Sequence, residues 1–291
     1  MFPFVFKLWR YHGLPTVDET PDVSKVSPVA PASPVASDRL ARADTYRRQA
    51  DLRRVWRENY LPRLWAGGRI VPGGGPRVIL AVDDGGSSFE GALKTATFLA
   101  DRWKAALAES PVVRSADETF RIAEDEGADW LVIGKPSAGE AEAGPASLAE
   151  RLVRETGLTV LADREGSLAN GVRRILIPVD GTASSLPAVA EGLRWARAFS
   201  AELMVLHVAE KAAERETEHA DFLDILEAVG WNSVAHETRI GRGTVAEAIL
   251  EAARDGGADL ILMTTKRALI AAEVTRRSSV PVFVLHAAEV F

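Results

Sequence analysis

Seven short apolar runs punctuate the chain: RVILAVD (77–83), GADWLVIG (127–134), GLTVLAD (157–163), RILIPVD (174–180), AELMVLHV (201–208), GADLILMT (257–264) and SVPVFVLH (279–286). Each is rich in Val, Ile and Leu, and none alternates apolar with polar positions. That is the pattern of strands buried on both faces of a parallel sheet. Segments with helical periodicity separate them, at 87–108, 116–126 and 145–155, then at 184–199, 214–229, 243–256 and 267–277. Parallel strands need crossover connections, so strands alternating with helices predict an α/β fold.

The runs form two series that resemble each other. RVILAVD pairs with RILIPVD, GADWLVIG with GADLILMT, and GLTVLAD with SVPVFVLH. The series are unequal in length. Arg77 to Gly127 is 50 positions, whereas Arg174 to Gly257 is 83. The difference is about one strand and one helix. The first series passes from its first helix to PVVRS (111–115), so it is expected to lack one βα unit, the counterpart of AELMVLHV (201–208) and of the helix at 214–229. The pattern predicts two open parallel sheets flanked by helices, over 77–163 and 173–291. Segments 159–162 and 281–285 would be exposed apolar edges, which soluble proteins avoid. They are expected to pair with each other, making an internal pseudo-dimer of the two series.

Residues 1–76 follow a different pattern. Four prolines among Ala, Ser and Val at 21–37 read as an extended linker. Residues 38–61 contain no Gly or Pro and predict an Arg-rich helix closed by Pro62. GGRIVPGGGP (67–76) reads as a hinge. This arm carries 12 Lys/Arg against 7 Asp/Glu, while residues 77–291 carry 23 against 34. A basic arm on an acidic body points to contact with the body or with an acidic partner. The acidic body argues against nucleic acid, since phosphate neutralisation needs clustered Lys/Arg. Absence of cysteine excludes disulfides and thiolate chemistry. No run of 18 apolar residues occurs, and the opening MFPFVFKLWRYHG lacks the flanks of a signal peptide. A cytoplasmic protein is expected, with attachment to a membrane-bound complex left open.

The second series resembles the universal stress protein family along its length. The resemblance rests on RRILIPVDGTASSLPAVAEGLRWARAFSAELMVLHV (173–208), GTVAEAILEAARDGGADLILMT (243–264) and SSVPVFVL (278–285). The first series resembles a shortened copy. The resemblance implies five-stranded parallel sheets between helices. In nucleotide-binding members, ATP lies at the carboxyl ends of the strands. An Asp ending the first strand meets the adenine–ribose side, and an apolar residue of the second strand lines the adenine pocket. A Gly-x-x-Gly loop after strand four cradles the phosphates, where the backbone can approach closely. Asp180 and Val208 stand at the first two positions, and Asp83 is the counterpart of Asp180 in the first series. No Gly follows Gly257, so the phosphate loop is missing. In the first series Gly134, Gly139 and Gly144 have a different spacing, and Glu140 and Glu142 would oppose phosphate. No cofactor is therefore expected, with ATP or AMP as the alternative. Asp83 and Asp180 are expected mainly to cap the turns that follow them.

Other chemistry is thinner. Lys266 and Arg267 read as a solvated basic loop. AVDDGGSS (81–88) shares Gly85, Gly86 and Ser88 with the pyrophosphate loop of adenylating enzymes but lacks its leading Ser and its Asp. His207 has no Ser/Asp partners in view, so no triad is supported. His219, Asp221, Asp224 and Glu227 read as a solvated acidic face rather than a metal site. No catalytic residue is expected.

The arm is richer. Phe2, Phe4, Phe6, Leu8, Trp9 and Tyr11 concentrate apolar bulk that would be a liability in water. With Arg47 and Arg54 they are candidate contacts to a larger protein complex through residues 1–61, packing on the chain's own body being the near alternative and a membrane surface the lesser one. Trp56, Tyr60, Leu64 and Trp65 read as core contacts. These features predict a non-enzymatic adaptor or accessory subunit. An adenine-nucleotide-binding stress sensor is the first alternative and an adenylating-type enzyme the second.

Overall fold

The computed structural model describes residues 75–136, 145–180, 185–208, 236–241, 243–264 and 268–286. The chain divides after Arg48, and every described residue lies in the larger unit, Gln49–Phe291. The arm contacts named above, from Phe2 to Arg54, lie outside the described residues. So do Glu140 and Glu142, the His219–Glu227 group, and Lys266 and Arg267.

Among the described residues, nine strands build one sheet. In chain order the elements are β1 (Val78–Asp83), α1 (Phe89–Trp103), β2 (Ala106–Val112), α2 (Ala116–Asp125), β3 (Trp130–Gly134), α3 (Leu148–Glu155), β4 (Val160–Asp163), a 3₁₀ turn (Ser167–Asn170), β5 (Arg174–Val179), α4 (Leu186–Phe199), β6 (Glu202–Val208), β7 (His236–Gly241), α5 (Val245–Gly256), β8 (Leu260–Thr264), α6 (Ala268–Arg277) and β9 (Val282–Leu285). The sheet order is β2-β1-β3-β4-β9-β8-β5-β6-β7. All pairs are parallel except β4–β9, which run antiparallel with Val160 opposite Val284 and Ala162 opposite Val282. The first half contributes four strands and the second five, and the two sheets are continuous through that seam. No described helix is long and apolar enough to cross a membrane.

Local sequence explains the element ends. Ser115, Ser147 and Thr244 cap α2, α3 and α5 by accepting from the amide three residues on. At α3, Glu150 returns the bond to Ser147 and completes a capping box. Gly257 ends α5 at φ +60°, a conformation that favours glycine.

Two expectations need correction. The helix expected at 87–108 stops at Trp103. Lys104 turns the chain with φ +57°, and residues 106–112 form β2 against β1. AALAES has helical propensity, but pairing with β1 overrides it. β2 is thus the counterpart of β6, and the strand without a counterpart in the first half is β7. HETRIG in β7 is polar, as an edge strand can be, so no apolar run announced it.

The core has two layers, one on each face of the sheet. One layer joins α1 and α4 to the sheet, with Trp195, Phe283, Ile79 and Leu99 fully buried. The other lies under α2, α3, α5 and α6. The β4–β9 seam is packed by aromatics from both halves. Trp130 lies 4.8 Å from Phe283 and 5.9 Å from Trp195, and Trp103 lies 6.2 Å from Trp130.

Candidate functional site

Ligands of open α/β sheets bind at the carboxyl ends of strands where the order reverses. Here those points lie between β1 and β3 and between β5 and β8. Each is reached by the Asp that follows or ends the central strand.

At the first point, Asp83 Oδ1 accepts from Gly85 N at 2.7 Å, and Asp83 N donates to Ser110 Oγ at 2.9 Å. Asp84 repeats the turn, accepting from Gly86 N at 2.9 Å. Gly85 has φ +73°, so glycine suits the turn. The loop then drives Ser88 against the end of β3. A Cβ added at Gly134 would stand 2.3 Å from Ser88 Oγ. The space between the ends of β1 and β3 is therefore filled by the chain's own loop, and Gly134 is needed for close approach rather than for a phosphate.

At the second point, Asp180 Oδ1 accepts from Ser185 Oγ at 2.7 Å, and Asp180 N donates to the same oxygen at 3.1 Å. Ser185 is buried. It lies five residues after Asp180, as Ser88 lies five after Asp83. Both Asp side chains thus satisfy their own turns. Val208 ends β6 opposite Gly241 of β7, and its side chain lies outside the described residues. His207 is buried beside Val179. Only three residues separate Thr264 of β8 from Ala268 of α6, against thirteen between Gly134 and Leu148 in the first half.

A third cluster was not legible in the sequence. Lys135 directly follows β3 and is buried, with Nζ donating to Ser278 O at 3.0 Å and to Val280 O at 2.6 Å. It ties the end of β3 to the segment between α6 and β9, across the two halves. Burial, with Arg164 nearby, pushes its ammonium down to about 7, against the opposing pull of Asp163. Asp163 is fully buried and accepts from Thr95 Oγ1 at 2.5 Å, Ser167 Oγ at 2.7 Å and Leu168 N at 3.3 Å. Arg164 donates to Pro136 O at 2.9 Å through Nη2. The only advance signal was a Lys-Pro pair closing an apolar strand. The cluster is a structural clamp whose polar groups are committed to protein partners.

Comparison with known proteins agrees with this architecture. The universal stress protein family model matches residues 171–290, so the second half of the chain is similar to that family. A universal stress protein from Archaeoglobus fulgidus superposes over 73% of this chain and 97% of its own, with TM-score 0.57 and 16% identity. A protein of unknown function from Pseudomonas aeruginosa PAO1 superposes over 72% of this chain and 92% of its own, with TM-score 0.53 and 16% identity. These likenesses span both halves and concern the fold. No curated protein matches the chain.

Proposed function

We propose that this chain is a non-enzymatic adaptor or accessory subunit, built on a tandem universal stress scaffold whose nucleotide sites have closed. The observation that carries this reading is that a serine of the chain's own loop stands at each switch point. Ser88 fills the approach to Gly134, and Ser185 holds Asp180. The three-residue link after β8 supports it, being too short for a phosphate-cradling glycine loop. In this reading Asp83, Asp180 and Val208 are relics of a nucleotide site, no cofactor is needed, and the chain catalyses no reaction. The arm, through Phe2, Phe4, Phe6, Leu8, Trp9, Tyr11, Arg47 and Arg54, engages a larger protein complex from the cytoplasm.

Titration calorimetry with ATP and AMP tests the closed sites. The expected result is no binding tighter than about 100 μM, equivalent to about −5.5 kcal/mol. Micromolar affinity that Asp180→Ala abolishes would replace this reading with that of a nucleotide sensor.

A further inference from the structure

Helix α4 is buried on every side through its middle. Ala188 through Ala196 are nine consecutive buried residues, and nine residues of α-helix point in all directions about the axis. Its counterpart α1 behaves as a surface helix, with Glu90, Lys94, Thr97 and Asp101 exposed along one stripe. The sheet covers only one side of α4, where Gly192 meets Ile177. Yet Ala190 and Arg194, directed away from Gly192 by the 3.6-residue turn, are 5% and 8% exposed. The structure holds a single chain, so the cover belongs to this chain.

The chemistry of the covered face says what kind of surface lies on it. Arg194 donates to Glu191 through Nε and Nη2, and its guanidinium stacks 4.0 Å over Trp103. Arg194 Nη1 and Trp103 Nε1 are buried without an acceptor. A polar cover would supply acceptors, so this one is apolar or aromatic, and a weakly hydrated guanidinium accepts an aromatic ring readily. The chain re-enters the described structure at this corner. A Cβ on Gly75 would lie 3.4 Å from Arg194 Nη1 and 3.5 Å from the Trp103 ring, and Pro76 is buried. The residues just ahead are aromatic and aliphatic at Trp56, Tyr60, Leu61, Leu64 and Trp65. They belong to the same unit as the sheet, which begins at Gln49. The other long candidate within this unit, 209–235, joins β6 to β7, and the right-handed rule for such crossovers favours a course beyond β6 rather than over the outer face of α4.

We propose that residues 50–74 dock through this apolar set onto the outer face of α4, at the Glu191–Arg194–Trp103 corner. The arm then has a fixed root, and the chain ahead of it carries the apolar contacts offered to a partner. This inference stands on α4 and does not depend on the state of the nucleotide sites.

The segment contains Arg53, Arg54, Arg57, Arg63 and Arg69, which makes trypsin a direct probe. In the full-length protein these sites should resist cleavage under native conditions, because cleavage requires the docked segment to open. Ala190→Arg on the face, and separately Leu64→Asp on the segment, should each speed cleavage at these sites by roughly tenfold or more. The far-UV circular dichroism and the 77–286 fragment should persist. Leu64→Asp leaves the sheet and its helices untouched, so it decides the matter if Ala190→Arg fails to fold. Rapid cleavage of the wild-type sites would overturn the proposal, as would variants that cleave no faster. Protection that appears only as concentration rises, together with a dimer in sedimentation, would assign the face to a second copy. Protection that appears only with an added partner would assign it to that partner.

Discussion

At the residue scale, Lys135 makes a pH-dependent contribution whose sign follows from its environment. Its ammonium is held down to about 7, from the 10.5 of an unfolded chain. Between these values the unfolded chain binds the extra proton, so stability rises with pH across that window and is flat below it. The carbonyls of Ser278 and Val280 accept from a neutral amine as well as from an ammonium, so the clamp survives deprotonation. Chemical denaturation at pH 7 and pH 9 should show the wild type gaining about 2 kcal/mol relative to Lys135→Met, at about 1.4 kcal/mol per pKa unit. A parallel pH dependence in the two proteins would refute the assignment. This residue also marks what single positions hide. A lysine after a strand looks like a solvated loop until the second half of the chain closes over it. Asp83 and Asp180 were legible because their turn chemistry is local: Gly85 and Ser185 lie two and five residues away.

At the element scale, most of the architecture was readable because buried parallel strands need continuous apolar runs, and those are conspicuous. Two strands escaped. β2 is an edge of mixed apolar, small and polar residues, mostly exposed, and β7 is polar, so neither needed the run that marks a doubly buried strand. Continuity of the sheet also had a local signal, since two apolar terminal segments were left without partners. The seam they form is where the halves depend on each other. Phe283 in β9 is fully buried and packs edge-on against Trp130 from the first half and 5.4 Å from Trp195 of the second. Replacing Phe283 by Ala should cost about 3–5 kcal/mol. Urea unfolding should then separate into two transitions if the seam is what couples the halves, and stay a single transition of lower midpoint if the continuous backbone ladder suffices. A loss below about 1 kcal/mol would mean that the aromatic seam is not a principal support.

At the scale of the whole molecule, the arm divides ahead of its hinge, between a root that the body needs and a segment that a partner would use. Phe2, Phe4, Phe6, Leu8, Trp9 and Tyr11 in residues 1–14 are each worth about 1.5–3 kcal/mol when buried. Ordering the segment costs a comparable amount, at about 1–2 kcal/mol per residue. Such a segment is marginal alone and needs a preformed groove. The Pro-rich stretch 21–37 can span about 50 Å, at roughly 3.1 Å per residue, which suits a tethered anchor. Deleting residues 1–37 should therefore leave circular dichroism unchanged and move the melting temperature by no more than about 4 °C, a shift of roughly 1–2 kcal/mol for a body of this size. The same deletion should abolish co-purification with the native partner complex, while Arg47→Glu with Arg54→Glu should weaken it and flatten its salt dependence. Deletion of residues 1–74 should behave differently, because it strips the outer face of α4 and exposes Arg194 and Trp103. That protein should melt lower and aggregate. If the shorter deletion already unfolds the body, the anchor is part of the core, and an adaptor role for the arm loses its physical basis.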